Sequence, residues 1–156
     1  LRKSPLNKME DSKKNSKFLV SGIDILPYLV DLARYMSSTG VDLKPYPKVR
    51  INTDTSYQND PFGRTAYYDP GNKSVTLFVA GRHIKDILRS FSHELIHHNQ
   101  NLTGAFDKSH LKSLENPKYA EEDPHLRKME EDAYLRGNMI FRAWEDSHKY
   151  SGTINK

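Results

Sequence analysis

Residues 82–101, "RHIKDILRSFSHELIHHNQN", place apolar side chains at Ile84, Ile87, Leu88, Phe91, Leu95 and Ile96, with no proline or glycine between them. Recurrence at three and four residues draws one apolar stripe along a helix, so the rest of the chain must supply a surface that covers it. The polar side of the same helix carries His93, Glu94 and His97, the string H-E-L-I-H. Residues four apart project from one helical face about one turn apart, so the two imidazoles can reach a single ion. Glu94, one residue further round, is poorly placed to ligate that ion beside both histidines. It is well placed to take a proton from a water held there.

The chain of 156 residues is 36% apolar, enough for one core and one domain. It contains no cysteine, which excludes disulfides and thiol chemistry and leaves His, Asp and Glu as the strong metal ligands. The net charge of +4 does not describe the whole surface. Residues 1–20 hold six basic side chains (Arg2, Lys3, Lys8, Lys13, Lys14 and Lys17) against Glu10 and Asp11, leaving 18 of each sign elsewhere. The basicity belongs to the tail, so a nucleic-acid partner is expected only through that segment. Residues 1–20 therefore read as a basic flexible extension, 21–150 as one domain and 151–156 as a short tail. No run approaches the length of a membrane span, and "KFLVSGIDILPYLV" is broken by Ser21, Gly22, Asp24 and Pro27. The expectation is a soluble, cytoplasmic protein with no membrane partner.

Before the histidine helix, "GIDILPYLVDLARYMSSTG" repeats Ile25, Leu26, Leu29, Val30, Leu32, Ala33 and Met36 at helical spacing, with Pro27 in the first turn and Gly40 as a stop. In "KPYPKVRINTD", Val49, Ile51 and Thr53 alternate as in a strand. Residues 54–64 read as a loop. "TAYYDPGNKSVTLFVAG" reads as a hairpin, with strands Thr65 to Tyr68 and Ser74 to Ala80 about a turn at Asp69–Asn72. Residues 102–122 read as an irregular connection with one short helix. Asp123 then caps a final helix with Pro124 at its first position, and Leu126, Met129, Ala133, Ile140, Phe141 and Trp144 turn inward. The class is α+β, with a small, mostly antiparallel sheet of three strands packed on the histidine helix, flanked by an N-terminal and a C-terminal helix.

A catalytic zinc takes three protein ligands and keeps a fourth position open. His98 points about 100° away from His97, and the third ligand must come from downstream. His110, His125, His148 and the acidic cluster Glu130, Glu131 and Asp132 are the candidates. The elongated pattern with a glycine and a third histidine close behind H-E-x-x-H fails, since Thr103 precedes the first glycine, Gly104.

H-E-x-x-H followed by a glutamate on a later helix resembles the gluzincin arrangement of thermolysin-like peptidases and of small ImmA/IrrE-like metallopeptidase domains. In that arrangement small residues follow the ligand glutamate three and seven positions on. "EEDAYLRG" matches with Ala133 and Gly137 when Glu130 is the ligand, whereas Glu131 would bring Tyr134 and Asn138 there. A glycine inside a helix costs about 1 kcal/mol against alanine, so Gly137 should mark a close approach. "DILRSFSHELIHHNQ" is also similar to the active-site helices of SprT-like and phage-encoded metallopeptidases.

The resemblance implies a minimal zincin fold and a zinc endopeptidase acting on protein or peptide substrates. His93, His97 and Glu130 would be its ligands and Glu94 its general base and acid. A phage origin would place it in a virion or the host cytoplasm. It further implies that the strand before the helix is a sheet edge, with Val75, Leu77 and Val79 on a substrate rail. Tyr134, His148 and Tyr150 are candidate oxyanion donors. One departure stands out. Thermolysin-like enzymes place an aspartate four residues after the ligand glutamate to orient a zinc-binding histidine, and this chain has Tyr134 there. A binding or sensing module with little turnover, or a DNA-associated SprT-like protease, is the alternative. SprT-like families generally use a third histidine, so Glu130 counts against the latter.

Overall fold

A computed structural model describes residues 18–57, 65–106 and 123–151, the side chains of 149–151 excepted. Two short strands, β1 (Leu19–Val20) and β2 (Ile23–Asp24), form an antiparallel hairpin. Helix α1 (Leu26–Ser38) follows, with Pro27 in its first turn and the Asp24 carboxylate accepting from the Leu26 amide at 3.1 Å. Leu26, Leu29, Val30, Leu32, Ala33 and Met36 are buried, the stripe expected from their spacing. Gly40, at φ +100°, takes the left-handed conformation that ends the helix. The domain starts earlier than expected. Phe18 and Val20 are buried at 4% and 8% exposure and the Phe18 carbonyl accepts from the Ile25 amide, so these two side chains, unlike exposed Leu19, belong to the core and not to a flexible extension.

Three further strands are β3 (Lys48–Asn52), β4 (Ala66–Asp69) and β5 (Ser74–Phe78), ordered β3-β5-β4. The Asp69 turn makes β4 and β5 antiparallel, with Tyr68 opposite Val75. β3 runs parallel to β5, with Val49 opposite Val75, so the sheet is mixed and not mostly antiparallel. The difference arises because the chain from β3 crosses to the far side before the hairpin returns it to the centre. β5 is the middle strand, and all five of its residues are buried. Val75, Leu77 and Val79, expected on an edge, are core side chains at 0%, 0% and 4% exposure. Among the described residues the edges of this sheet are β3 and β4.

Helix α2 (Ile84–Leu102) packs against β4, β5, α1 and most extensively α3 (Pro124–Ser151). His83 caps α2 by accepting from the Lys85 amide at 3.0 Å. Asp123 caps α3 by accepting from the amides of His125 and Leu126 at 2.9 and 3.3 Å. Arg82 joins the layers. Its guanidinium donates to the carbonyls of Thr65, Phe78 and Asp86 and to Ser90 Oγ, at 2.8–3.0 Å.

α2 and α3 meet closely at Gly137. A Cβ there would lie 3.1 Å from His93 Cα and 3.2 Å from His93 N, which is the close approach expected of a mid-helix glycine. Ser92 Oγ lies 2.7 Å from the Arg89 carbonyl and 3.1 Å from the Gly137 carbonyl, sharing its proton across the contact. Further along α3, buried Trp144 donates to Asp31 of α1 at 2.8 Å. No helix among the described residues is long and apolar enough to cross a membrane. The tail 1–17, the loop 58–64, and residues 107–122 with the expected short helix lie outside the described residues.

Candidate metal centre

The apolar stripe of α2 turns Ile87, Leu88, Phe91, Leu95 and Ile96 into the core and leaves His93 and His97 on the side that α3 covers. One turn apart, their rings stand edge to face with centroids 4.9 Å apart. Both Nε2 atoms converge on one carboxylate. His97 Nε2 lies 2.8 Å from Glu130 Oε1, and His93 Nε2 lies 3.3 Å from Glu130 Oε2. Metal bonds of 2.0–2.1 Å in a tetrahedron put ligand atoms about 3.3 Å apart, so these three side chains can bind a metal ion with little movement. The His97 side chain is 8% exposed, while His93 and Glu130 are 25% and 30% exposed. The group is therefore walled by protein on the His97 side and reachable by solvent on the other.

Glu94 is buried, at 7% exposure, and its charge bears on His97. Burial presses the charge of His97 down. The hydrogen bond to Glu130, the charges of Glu94 and Glu130, and the bond to Gln100 outweigh it and hold the pKa up at about 8. Below about pH 8 His97 thus carries a proton opposite Glu130, and a metal ion binding there must displace it. Phe106 packs near the other side of His97, with ring centroids 6.1 Å apart.

Of the residues proposed from sequence, His93, His97 and Glu130 come together, with Glu94 beside them. Glu131, the rejected alternative, is exposed on the next position of α3. His148 is about five turns beyond Glu130, about 27 Å along the helix, where it pairs with Asp31 and meets the Trp144 ring edge to face. It takes no part in this site. Tyr134 follows Glu130 by one turn and is 63% exposed, so it does not orient either histidine. His125 donates through Nε2 to the Ala105 carbonyl at 2.7 Å, a structural contact. His110 and the Tyr150 side chain lie outside the described residues.

Comparison with protein-family models, with curated proteins and with solved structures finds no match. The site is therefore read from its own chemistry.

Sequence reasoning missed the groups behind His97. Gln100 Oε1 lies 2.8 Å from His97 Nδ1, and the Gln100 amide nitrogen donates to the Met129 carbonyl and to Asp132. Asp132 also accepts from Arg136. That Arg136 bond, with the one from Gln100, holds the Asp132 carboxyl below its usual range against partial burial. The available signal was position: Gln100 is three residues after His97, on the same helical face.

Proposed function

We propose that the protein is a zinc-dependent endopeptidase in which His93, His97 and Glu130 hold the ion. The observation that carries this reading is the convergence of two Nε2 atoms on both oxygens of Glu130, beside a buried carboxylate, Glu94. Zinc is the ion best matched to two imidazoles and one carboxylate with an open side, and when bound it supplies a Lewis acid and lowers the pKa of water toward ~7.

Glu94 carries the proton. Its carboxylate takes one from the attacking water and returns it to the departing amine, so that neither hydroxide nor an amide anion is released. Tyr134, in solvent one turn beyond Glu130, is the candidate donor to the developing oxyanion. An extended substrate that pairs with the sheet does so at β3 or β4, since β5 has neighbours on both sides.

The test is cleavage of a diverse peptide library, followed by mass spectrometry, with zinc-loaded wild type and Glu94→Gln. Turnover should fall about 10²–10⁴-fold in the variant while its zinc content is unchanged. A zinc-replete wild type that cleaves nothing contradicts the peptidase reading.

A further inference from the structure

We propose that Gln100 is the positioning residue that selects which nitrogen of His97 faces the metal position, an inference that rests on the zinc reading of the site. Gln100 is 3% exposed, and both ends of its amide are committed. One end lies 2.9 Å from the Met129 carbonyl and 2.8 Å from Asp132 Oδ2. A carbonyl and a carboxylate only accept, so that end must be the NH₂ group, and a flipped amide would set oxygen against oxygen twice. Oε1 is therefore the atom 2.8 Å from His97 Nδ1. An oxygen there can only accept, so Nδ1 carries the ring proton. The lone pair of Nε2 is left for the ion beside Glu130.

The brace extends beyond the amide. Asp132 Oδ2 is held by Arg136 Nη2 at 2.6 Å, and Oδ1 accepts from Arg136 Nε at 2.7 Å. Arg136 Nη2 reaches back to Asn99 Oδ1 on α2 at 3.3 Å. Met129 and Asp132 flank Glu130 on α3, so the helix that carries the third ligand also fixes the orientation of the second. The metal position and the proper tautomer of His97 then form together, when α2 and α3 dock.

The experiment uses the full chain as wild type, Gln100→Leu and Gln100→Glu. Zinc affinity is read by competition with a chromophoric chelator. The His97 tautomer is read from long-range ¹H–¹⁵N spectra of metal-free protein in which Glu130→Ala removes the carboxylate opposite Nε2, at a pH where the ring is neutral. With Gln100 in place the proton should sit on Nδ1. Gln100→Leu should shift the proton toward Nε2 and weaken zinc about 10–100-fold. Gln100→Glu keeps an acceptor opposite Nδ1 but sets its second oxygen against the Met129 carbonyl and Asp132, so it should retain the tautomer while losing stability. A Gln100→Leu protein with unchanged tautomer and affinity overturns the proposal, and so does a ring protonated on Nε2 in the Glu130→Ala protein that keeps Gln100, even where the leucine variant fails to fold. Wild type that takes up no zinc sinks the metal reading instead, and the tautomer still decides the role of Gln100.

Discussion

His97 and His98 are neighbours in sequence and opposites in surroundings. The ring of His97 lies between Glu130 and Gln100 on the α3 side of α2. The ring of His98 is fully buried on the other side, with Nε2 donating to the Pro45 and Leu43 carbonyls at 2.7 and 3.2 Å and Nδ1 accepting from Tyr68 at 2.7 Å. Tyr68 in turn accepts from Asn101, and burial pushes its hydroxyl up to about 12. Carboxylates raise the affinity of His97 for a positive charge. Burial lowers that of His98, outweighing its carbonyl partners. What a histidine can do is thus set by the groups opposite its two nitrogens: one ring is poised for a cation, the other ties a loop to a helix.

Exchanging the two losses gives the largest test of this contrast. His97→Ala should abolish stoichiometric zinc. His98→Ala should keep the zinc but lose about 1–3 kcal/mol in urea unfolding, because the Pro45 carbonyl and the Tyr68 hydroxyl lose a buried partner. Equal effects of the two variants on zinc would break the comparison.

Gly137→Val probes the seam that brings Glu130 to the histidines. Its side chain would press on the His93 backbone, so stability should drop by about 1–3 kcal/mol and zinc affinity with it. A variant as stable as wild type would mean that the α2–α3 approach is adaptable.

A smaller effect should appear with pH in the metal-free protein, with opposite signs for the two rings. His97, with its folded pKa near 8 against 6.5, stabilises fully below 6.5 and loses that contribution as pH rises through 8. His98, with its pKa lowered, contributes above 6.5 and loses it as pH falls. Each limb is limited to about 1.4 kcal/mol per pH unit, the slope of one proton. Saturating zinc should erase the alkaline limb from His97 and leave the acidic one, as monitored by urea titration. An alkaline limb unchanged by zinc would place the metal elsewhere.

The smallest effect belongs to Arg136→Gln. Its side chain is 40% exposed and that of Asp132 34%, so losing the ion pair should cost no more than about 1 kcal/mol and less at high salt.

The helices were legible because their information is local. The stripe of α2, the Asp123–Pro124 start of α3 and the costly Gly137 each state a requirement within a few residues. His93, His97 and the preference for Glu130 over Glu131 followed from helical spacing together with a family resemblance. Strand order was not legible. The turn at Asp69 dictates one pairing, but whether β3 joins β5, and in which direction, depends on the path of the chain between them. Phe18 follows a run of lysines, and its burial depends on a partner segment that no local pattern names. Gln100 is similar: an amide on a helix has no role until a second helix supplies acceptors for its nitrogen.

The central claim is that His93, His97 and Glu130 form one metal site. Zinc per chain, measured by inductively coupled plasma mass spectrometry on tag-free protein, tests it most directly across wild type, Glu130→Ala and Glu131→Ala. The account predicts about one zinc in wild type, its loss in Glu130→Ala and its retention in Glu131→Ala. No zinc in wild type after incubation with the ion, or full retention in Glu130→Ala, would contradict it.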